Sequence, residues 1–177
     1  MKAMLLAAGR GERMRPLTDA SPKPLLPVGG KPLIAWQIER LVRAGYDELV
    51  INVSYRAGQI VDCLGDGARF GATIAYSHEA EPMESAGGLS QALPLLGEGP
   101  VLVAAADVYT EFDFASLAPR RQAIAAAAAA AAAARAHLVL VPNPPFRPDG
   151  DYSLGTSTAP GRVGLGGAPR WTWAGIG

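Results

Sequence analysis

Short apolar runs alternate with longer helical segments along most of the chain, and this alternation restricts the fold more than any other feature. The runs typical of buried strands lie at residues 2–8, 49–53, 72–76, 101–106 and 137–141. Strands joined through helices run parallel, because each connection crosses the sheet before the next strand begins. We therefore predict an α/β fold with a mainly parallel sheet covered by helices on both faces.

Helical periodicity is clearest just after the first strand region. Ile34, Ile38 and Leu41 recur at helical spacing, and Gly45 stands where a C-terminal cap belongs. Shorter helices are predicted around residues 60–64 and 86–95, the first followed by a Gly-Asp-Gly turn and the second starting at a glycine pair. The ten-alanine run at 125–134 is helix-prone by composition, and we assign it no function.

Composition and charge exclude several classes of protein. The 177 residues include 16 basic and 16 acidic side chains, a balance that argues against a face built to bind nucleic acid. Cys63 is the only cysteine, which excludes a disulfide framework and a cysteine zinc cluster. The apolar run AMLLAA at 3–8 is too short for a signal-peptide core or a membrane span. We expect a cytoplasmic protein with neither nucleic acid nor membrane as a partner.

Two segments follow strands and are chemically unusual: residues 9–32, and the surroundings of Asp107 at the end of an apolar strand. In parallel α/β sheets, ligands bind beyond the carboxyl ends of the strands. Residues 1–32 carry six lysines and arginines against two acidic residues, Glu12 and Asp19. A local excess of cations in a neutral chain favours a small polyanion as ligand.

The glycines after the first strand are compatible with a phosphate loop, because glycine lets backbone N–H groups approach a phosphate closely. The chain contains no P-loop string, and Met14 stands where the dinucleotide-binding fingerprint needs its third glycine. Pro16 and four further prolines also argue against a helix opening at once, as a dinucleotide-dependent dehydrogenase requires. On the glycines alone, a tight turn with solvated arginines remains an equal alternative.

The complete loop carries more information than its glycines. Residues 6–32 read LAAGRGERMRPLTDASPKPLLPVGGKP, which resembles the sugar-1-phosphate nucleotidyltransferase signature LAAGxGxRxxPLTxxxPKPLLPVxxKP. Later segments extend the resemblance: EAEPMESAGGLSQAL at 79–93 is similar to the family's base-binding segment, ADVYTEFDF at 106–114 to its metal-aspartate segment, and WTWAGIG at 171–177 to its TxxGIxV strand. Residues 64–88 and AHLVLVPNP at 136–144 most resemble the bacterial branch acting on N-acetylmuramate 1-phosphate.

The resemblance implies a Rossmann-like three-layer α/β/α nucleotidyltransferase fold and a specific reaction. A sugar-1-phosphate oxygen would attack the α-phosphate of a nucleoside triphosphate, UTP in this branch, and release pyrophosphate with Mg²⁺ as cofactor. The product would be a UDP-sugar used in cell-wall sugar recycling. Glucose or mannose 1-phosphate is the alternative substrate, and a non-catalytic nucleotide-binding module is the alternative function.

The resemblance also assigns roles to individual residues. Arg13 would hold the β- and γ-phosphates and Lys23 the α-phosphate and the sugar phosphate, whereas Asp107 would bind the metal. The nucleotide-binding positions it implies are Ala8, Gly9, Gly11, Glu81 and Gly88. The plainer alternatives are a surface arginine, an exposed loop lysine, a turn aspartate and a glycine that merely lets a helix pack closely. Asp113 is expected to be a helix cap.

Two departures from the family pattern carry expectations of their own. Ala106 precedes Asp107 where the family usually has glycine, which adds a methyl group beside the nucleotide. The family takes a second metal aspartate from a segment after the TxxGI strand, and this sequence stops at Gly177. We therefore expect a single nucleotidyltransferase domain over 1–177 that lacks the C-terminal part of the fold, binds Mg²⁺ more weakly and has an incomplete sugar pocket.

Overall fold

The structure, a computed structural model, describes residues 1–129, 136–155 and 161–177. The chain divides into two compact units, Met1–Arg135 and Ala136–Gly177. The helices are α1 (Leu17–Ala20), α2 (Leu33–Arg43), α3 (Ala57–Leu64), α4 (Glu84–Leu96) and α5 (Ala118–Ala129). The strands are β1 (Ala3–Leu6), β2 (Pro27–Val28), β3 (Lys31–Pro32), β4 (Glu48–Val53), β5 (Thr73–His78), β6 (Leu102–Ala105), β7 (Leu140–Val141), β8 (Tyr152–Leu154), β9 (Val163–Gly164) and β10 (Arg170–Trp173). That residues 1–177 form a single nucleotidyltransferase domain stays a prediction.

A four-stranded parallel sheet with strand order β5-β4-β1-β6 lies at the centre of the first unit. Leu6 of β1 is in register with Asn52 of β4 on one side and Ala105 of β6 on the other. Successive side chains of a strand point to opposite faces, and both Met4 and Leu5 are fully buried. The sheet is therefore covered on both faces, as the predicted α/β fold requires.

Helix α2 confirms the period read from the sequence. Ile34, Ile38 and Leu41 are fully buried along one face of the helix. The helix ends before Gly45, which has a φ of 85° and donates its N–H to the Val42 carbonyl at 3.0 Å. A left-handed residue at this point is the usual way in which a helix satisfies its last carbonyls.

Helix α4 starts earlier than the sequence predicted. It begins at Glu84, three residues before the first glycine of the pair at Gly87. The N–H of Met83, the residue before the helix, donates to the Glu79 carboxylate at 2.9 Å, so a side chain from the preceding loop satisfies one donor at the start of the helix. Helix α4 packs against β1, β4 and β5.

The predicted turn after α3 is held by a tyrosine from β5. The Tyr76 hydroxyl donates to the Gly65 carbonyl at 2.6 Å. Burial, with a smaller contribution from the neighbouring Cys63 and Asp66, raises the pKa of Tyr76 to about 12. The hydroxyl therefore keeps its proton, and this hydrogen bond, throughout the neutral pH range.

Residues 9–32 have no helical or strand period, and the structure explains why. The segment is built from pieces too short to show one: two 3₁₀ turns (Glu12–Met14 and Lys23–Leu25), the four-residue helix α1 and the β2–β3 hairpin. Elements of this length are stabilised by contacts with other parts of the chain rather than by their own periodicity.

The second unit contains a small sheet with strand order β7-β10-β8-β9, in which the paired strands are antiparallel. The fifth predicted strand, 137–141, is reduced to Leu140–Val141. It joins this sheet and not the parallel one, because its ladder partners are Thr172 and Trp173 of β10. The strand predicted within WTWAGIG is confirmed for Trp171–Trp173, inside Arg170–Trp173.

The structure describes part of the alanine run. Its residues 125–129 lie in α5, and residues 130–134 lie outside the described residues. None of the helices that the structure describes is long and apolar enough to cross a membrane.

Candidate functional site

The carboxyl ends of β1 and β6 meet at one edge of the parallel sheet. Leu6 pairs with Ala105, and the Ala106 N–H donates to the Leu6 carbonyl at 3.1 Å. The loops that leave these two strands therefore start side by side. One is the glycine-containing loop that begins at Ala7, and the other carries Asp107.

Lys23 and Asp107 form an ion pair across this edge. The Lys23 Nζ lies 2.7 Å from the Asp107 Oδ2, although the two residues are 84 positions apart in sequence. Lys23 follows Pro22 at the start of a 3₁₀ turn, which fixes the backbone from which its side chain extends. The side chains remain 28% and 36% exposed, so both groups can reach a ligand as well as each other.

Gly11 is the point at which the loop folds back onto Lys23. It has a φ of 64°, and a Cβ at this position would lie 2.9 Å from the Thr18 Cγ2 and 3.1 Å from the Lys23 Cβ. The buried Thr18 donates its hydroxyl to the Gly11 carbonyl at 2.9 Å. Only glycine combines this backbone conformation with so close an approach.

We expect Gly11→Ala to lower the free energy of unfolding by about 1–3 kcal/mol, because alanine is strained at positive φ and its methyl group displaces Thr18 or Lys23. Urea denaturation followed by tryptophan fluorescence measures the change. Gly58→Ala in α3 is the matched control, since a Cβ there meets nothing within 4 Å. An equally small change in the free energy of unfolding in both variants would contradict the strain that we assign to alanine at position 11.

Three side chains from the β4–α3 region hold α1 in place. Tyr55 donates to the Thr18 carbonyl at 2.9 Å, and Gln59 donates to the Ala20 carbonyl at 3.2 Å. Between them, the Arg56 guanidinium donates to the Asp19 carbonyl. The last carbonyls of a helix have no partners within it, so these donors tie the loop to the scaffold. We refer to Tyr55, Arg56 and Gln59 as the α1 clamp.

Gln37 fixes the loop that carries Asp107. Its buried Nε2 donates to the Ala105 carbonyl at 3.3 Å and to the Val108 carbonyl at 2.5 Å, one on each side of the aspartate. Asp113, six residues further on, accepts the Ala115 N–H at 3.0 Å and caps the following 3₁₀ turn, which confirms its expected capping role. The Gln37 contact was missed from the sequence because its acceptors are main-chain carbonyls.

The remaining predicted residues occupy different surroundings. Ala8, in the loop that follows β1, is buried, whereas Gly9 is exposed. Arg13 and Glu81 are exposed, and within the described ranges neither side chain has a hydrogen bond or ion pair. Gly88 is buried in α4. The structure thus brings Gly11, Lys23 and Asp107 together and leaves Arg13 and Glu81 at the surface.

Asn52 and Glu79 were not identified from the sequence, and both are almost completely buried beside the site. The Asn52 Oδ1 accepts the Ala7 N–H at 2.8 Å, and its Nδ2 donates to the Glu79 Oε1 at 2.6 Å. A Cβ on Gly88 would lie within 2.6 Å of both side chains. One signal was available: Asn52 is the only polar residue in the apolar run LVINV.

The charges available at the site suit a phosphate ligand, with Asp107 as the carboxylate in contact with Lys23. Lys23 supplies a point charge, and Arg10 and Arg13 extend from the exposed part of the loop. Within the part of the chain that the structure describes, no group of three or more His, Cys, Asp or Glu side chains could hold a metal ion. Asp107 would therefore need other oxygen donors to complete a metal site.

Comparisons with known proteins agree with this geometry. The family model for nucleotidyl transferases matches residues 2–145. The chain is 52% identical to the N-acetylmuramate alpha-1-phosphate uridylyltransferase of Neisseria meningitidis serogroup B, over the whole chain and 74% of that protein. It is 43% identical over 100 residues to a UTP–glucose-1-phosphate uridylyltransferase of Synechocystis, covering 51% of this chain and 26% of that protein.

Solved structures share the fold. One is a Bacillus anthracis protein assigned as a glucose-1-phosphate thymidylyltransferase and crystallised with sucrose, with a TM-score of 0.66 and 27% identity over 70% of this chain. Another is HddC from Yersinia pseudotuberculosis, with a TM-score of 0.61 and 25% identity over 67% of this chain. The matches span 50% and 53% of those two chains. Together with the family model and the Neisseria relative, they show that this chain belongs to the sugar-1-phosphate nucleotidyltransferase family.

Proposed function

We propose that the protein joins UTP to N-acetylmuramate 1-phosphate and releases pyrophosphate. The observation that carries this proposal is the Lys23–Asp107 ion pair at the mouth of a glycine loop, where a cation and a carboxylate meet at the carboxyl edge of a parallel sheet. The choice of UTP and of the muramate sugar is supported by the 52% identity to the Neisseria uridylyltransferase.

In this reaction an oxygen of the sugar 1-phosphate attacks the α-phosphorus of UTP. The bond between that phosphorus and the bridging oxygen to the β-phosphate breaks, and pyrophosphate leaves with the electron pair. Negative charge concentrates on the α-phosphate and on the leaving group as the reaction proceeds. Catalysis then depends on positioning and on charge neutralisation, which are what fixed cations supply.

Lys23 is proposed to bind the α-phosphate and the incoming sugar phosphate. Its ammonium group has three N–H donors, so it can keep its contact with Asp107 while donating to a phosphate oxygen. Arg13 is proposed to hold the β- and γ-phosphates, for which a planar guanidinium offers a bidentate fork. Its exposed position on the loop leaves the fork accessible to a ligand.

The nucleotide itself is proposed to lie along the loop and the start of α4. Backbone groups of Ala8 and Gly9, together with Glu81 and Gly88, would surround the base, and Gly11 would lie along the phosphates. Gly88 also has a packing reason to be glycine, since a Cβ would collide with Glu79.

Asp107 fits a Mg²⁺ site of the kind that depends on substrate phosphates. Magnesium prefers one or two carboxylates together with water and phosphate oxygens, and Asp107 offers one partly exposed carboxylate. A bound Mg²⁺ would supply charge neutralisation to the triphosphate. Lys23, already in contact with this carboxylate, would orient it.

Domain organisation and setting are part of the proposal. We propose that residues 1–177 act as one nucleotidyltransferase domain in the cytoplasm, where nucleoside triphosphates are consumed. We also propose that the reaction serves cell-wall sugar recycling, and the similarity to the Neisseria N-acetylmuramate alpha-1-phosphate uridylyltransferase supports this.

The test measures pyrophosphate release in the presence of Mg²⁺, crossing UTP, dTTP, GTP and ATP with the 1-phosphates of N-acetylmuramate, N-acetylglucosamine, glucose and mannose. We expect UTP with N-acetylmuramate 1-phosphate to give the highest kcat/KM, by roughly tenfold or more over each alternative. Preference for glucose or mannose 1-phosphate would overturn the sugar assignment. UTP binding without release from any pair would identify a non-catalytic nucleotide-binding module.

A further inference from the structure

A buried polar pair joins the phosphate loop to the start of α4. Asn52 of β4 is 3% exposed, and Glu79, which directly follows β5, is 5% exposed. The Asn52 Oδ1 accepts the Ala7 N–H, so its Nδ2 must be the group that faces Glu79. The orientation of this amide is therefore determined by its partners on both sides.

Glu79 uses both carboxylate oxygens in this network. Its Oε1 accepts from Asn52 at 2.6 Å, and its Oε2 accepts the Met83 N–H at 2.9 Å. Its own N–H donates to the Val53 carbonyl at 2.8 Å, which ties the residue to β4 as well. A buried carboxylate satisfied in this way resists displacement, because any movement leaves an unpaired charge.

Gly88 lies directly on this pair. A Cβ there would be 2.5 Å from the Glu79 Oε1 and 2.6 Å from the Asn52 Nδ2. The pair therefore touches both proposed walls of the nucleotide site. It contacts the phosphate loop through Ala7, and it contacts the base-binding segment through Met83 and Gly88.

We propose that Asn52 and Glu79 are positioning residues that set the spacing between the phosphate loop and the base-binding segment. Neither side chain needs to touch the nucleotide, because each acts through backbone groups that would line its site. The inference rests on the proposed function for the identity of the ligand. The geometric relation between the two walls is independent of the sugar.

Exchanging the amide and the carboxylate between positions 52 and 79 tests the pair, because the double variant keeps the net charge of the protein. Asn52→Asp places a carboxylate against the Glu79 carboxylate and breaks the 2.6 Å hydrogen bond. Glu79→Gln leaves two donors, from Asn52 and Met83, competing for one amide oxygen. In the double variant, the introduced amide at position 79 donates to the introduced carboxylate at position 52. Every contact of the pair is then restored, and only the hydrogen bond between positions 52 and 79 has its donor and acceptor exchanged.

We expect each single variant to raise both the KM for UTP and the Kd of UTP measured by calorimetry at least roughly tenfold, with a smaller change in the KM for the sugar phosphate. The double variant should return to within about threefold of the wild-type Kd. Glu48→Gln, at the exposed amino end of β4, is the matched control and should leave UTP binding unchanged.

Unchanged UTP binding in the single variants, with only a lowered melting temperature, would overturn the positioning role and leave a structural one. If a single variant does not fold, the double variant decides: a folded double variant with weak UTP binding contradicts the proposal. Absence of pyrophosphate release by the wild-type protein would refute the proposed reaction alone, because the calorimetric Kd still reports on the pair.

Discussion

Lys23→Met is expected to lower kcat/KM for pyrophosphate release by roughly 100- to 1,000-fold, the range seen when one fixed donor is removed from a site of developing negative charge. Methionine keeps the length and much of the apolar stem of lysine, but it removes the ammonium group that lies 2.7 Å from Asp107. The loss should appear mainly in kcat, because Lys23 is proposed to stabilise charge that develops on the α-phosphate during the reaction. Steady-state kinetics with UTP and the sugar 1-phosphate measure how the loss divides between kcat and KM.

The fold should tolerate the Lys23 substitution. The ion pair is partly exposed, and pairs of this kind contribute about 0–1 kcal/mol to stability. Lys31→Met is a matched control: Lys31 is equally exposed and pairs with Glu39 at 2.5 Å, outside the proposed site. Wild-type kcat in Lys23→Met, or an equal loss in Lys31→Met, would show that the ammonium group of Lys23 has no specific role.

Asp107→Asn is expected to have an effect of similar size through a different step. The substitution keeps an oxygen that can accept from Lys23 but removes the negative charge proposed to hold Mg²⁺. We expect kcat/KM to fall by roughly 100-fold or more at a fixed Mg²⁺ concentration. The concentration of Mg²⁺ that gives half-maximal rate should rise, and titration of the rate with Mg²⁺ measures it.

Asp113→Asn provides the control for the loss of a carboxylate in the same loop region. Asp113 caps a 3₁₀ turn, and asparagine is an equally good capping residue. Its kinetics and its Mg²⁺ dependence should match those of the wild-type protein. A drop in activity for Asp107→Asn with an unaltered Mg²⁺ dependence would assign Asp107 to the orientation of Lys23 and remove it from the metal site.

The main strands were predictable because burial on both faces of a parallel sheet leaves a strong apolar signature. The predicted run at 49–53 lies in Glu48–Val53, and the run at 2–8 contains Ala3–Leu6. The strand at 137–141 was placed less well, since its partners in an antiparallel sheet lie about 30 residues later. A two-residue strand is defined by those partners more than by its own composition.

Within the site, the sequence identified the groups that carry charge better than the groups that hold them. Lys23 and Asp107 stand out as a proline-framed cation and a carboxylate after an apolar strand, and the structure joins them. The α1 clamp was not predictable, because Tyr55, Arg56 and Gln59 donate to main-chain carbonyls, which have no side-chain signature. Every residue offers such a carbonyl, and only the fold selects which ones are used.

Two neighbouring glutamates are a second case that the sequence could not resolve. Glu79 and Glu81 lie two positions apart in the string EAEP, and sequence alone does not reveal which one is buried. The structure buries Glu79 and leaves Glu81 exposed. The role of Glu81 near the base stays a prediction, whereas Glu79 belongs to the network with Asn52.

The 84-residue separation of Lys23 and Asp107 has a consequence for the order of events during folding. Asp107 reaches the loop only when β6 pairs with β1, and these two strands are farther apart in sequence than the other paired strands of the parallel sheet. Such non-local pairings form slowly, since the intervening chain must be ordered first. The glycine loop can therefore form before its paired carboxylate is in place. We therefore expect the refolding protein to regain turnover in the same kinetic phase in which β6 pairs with β1.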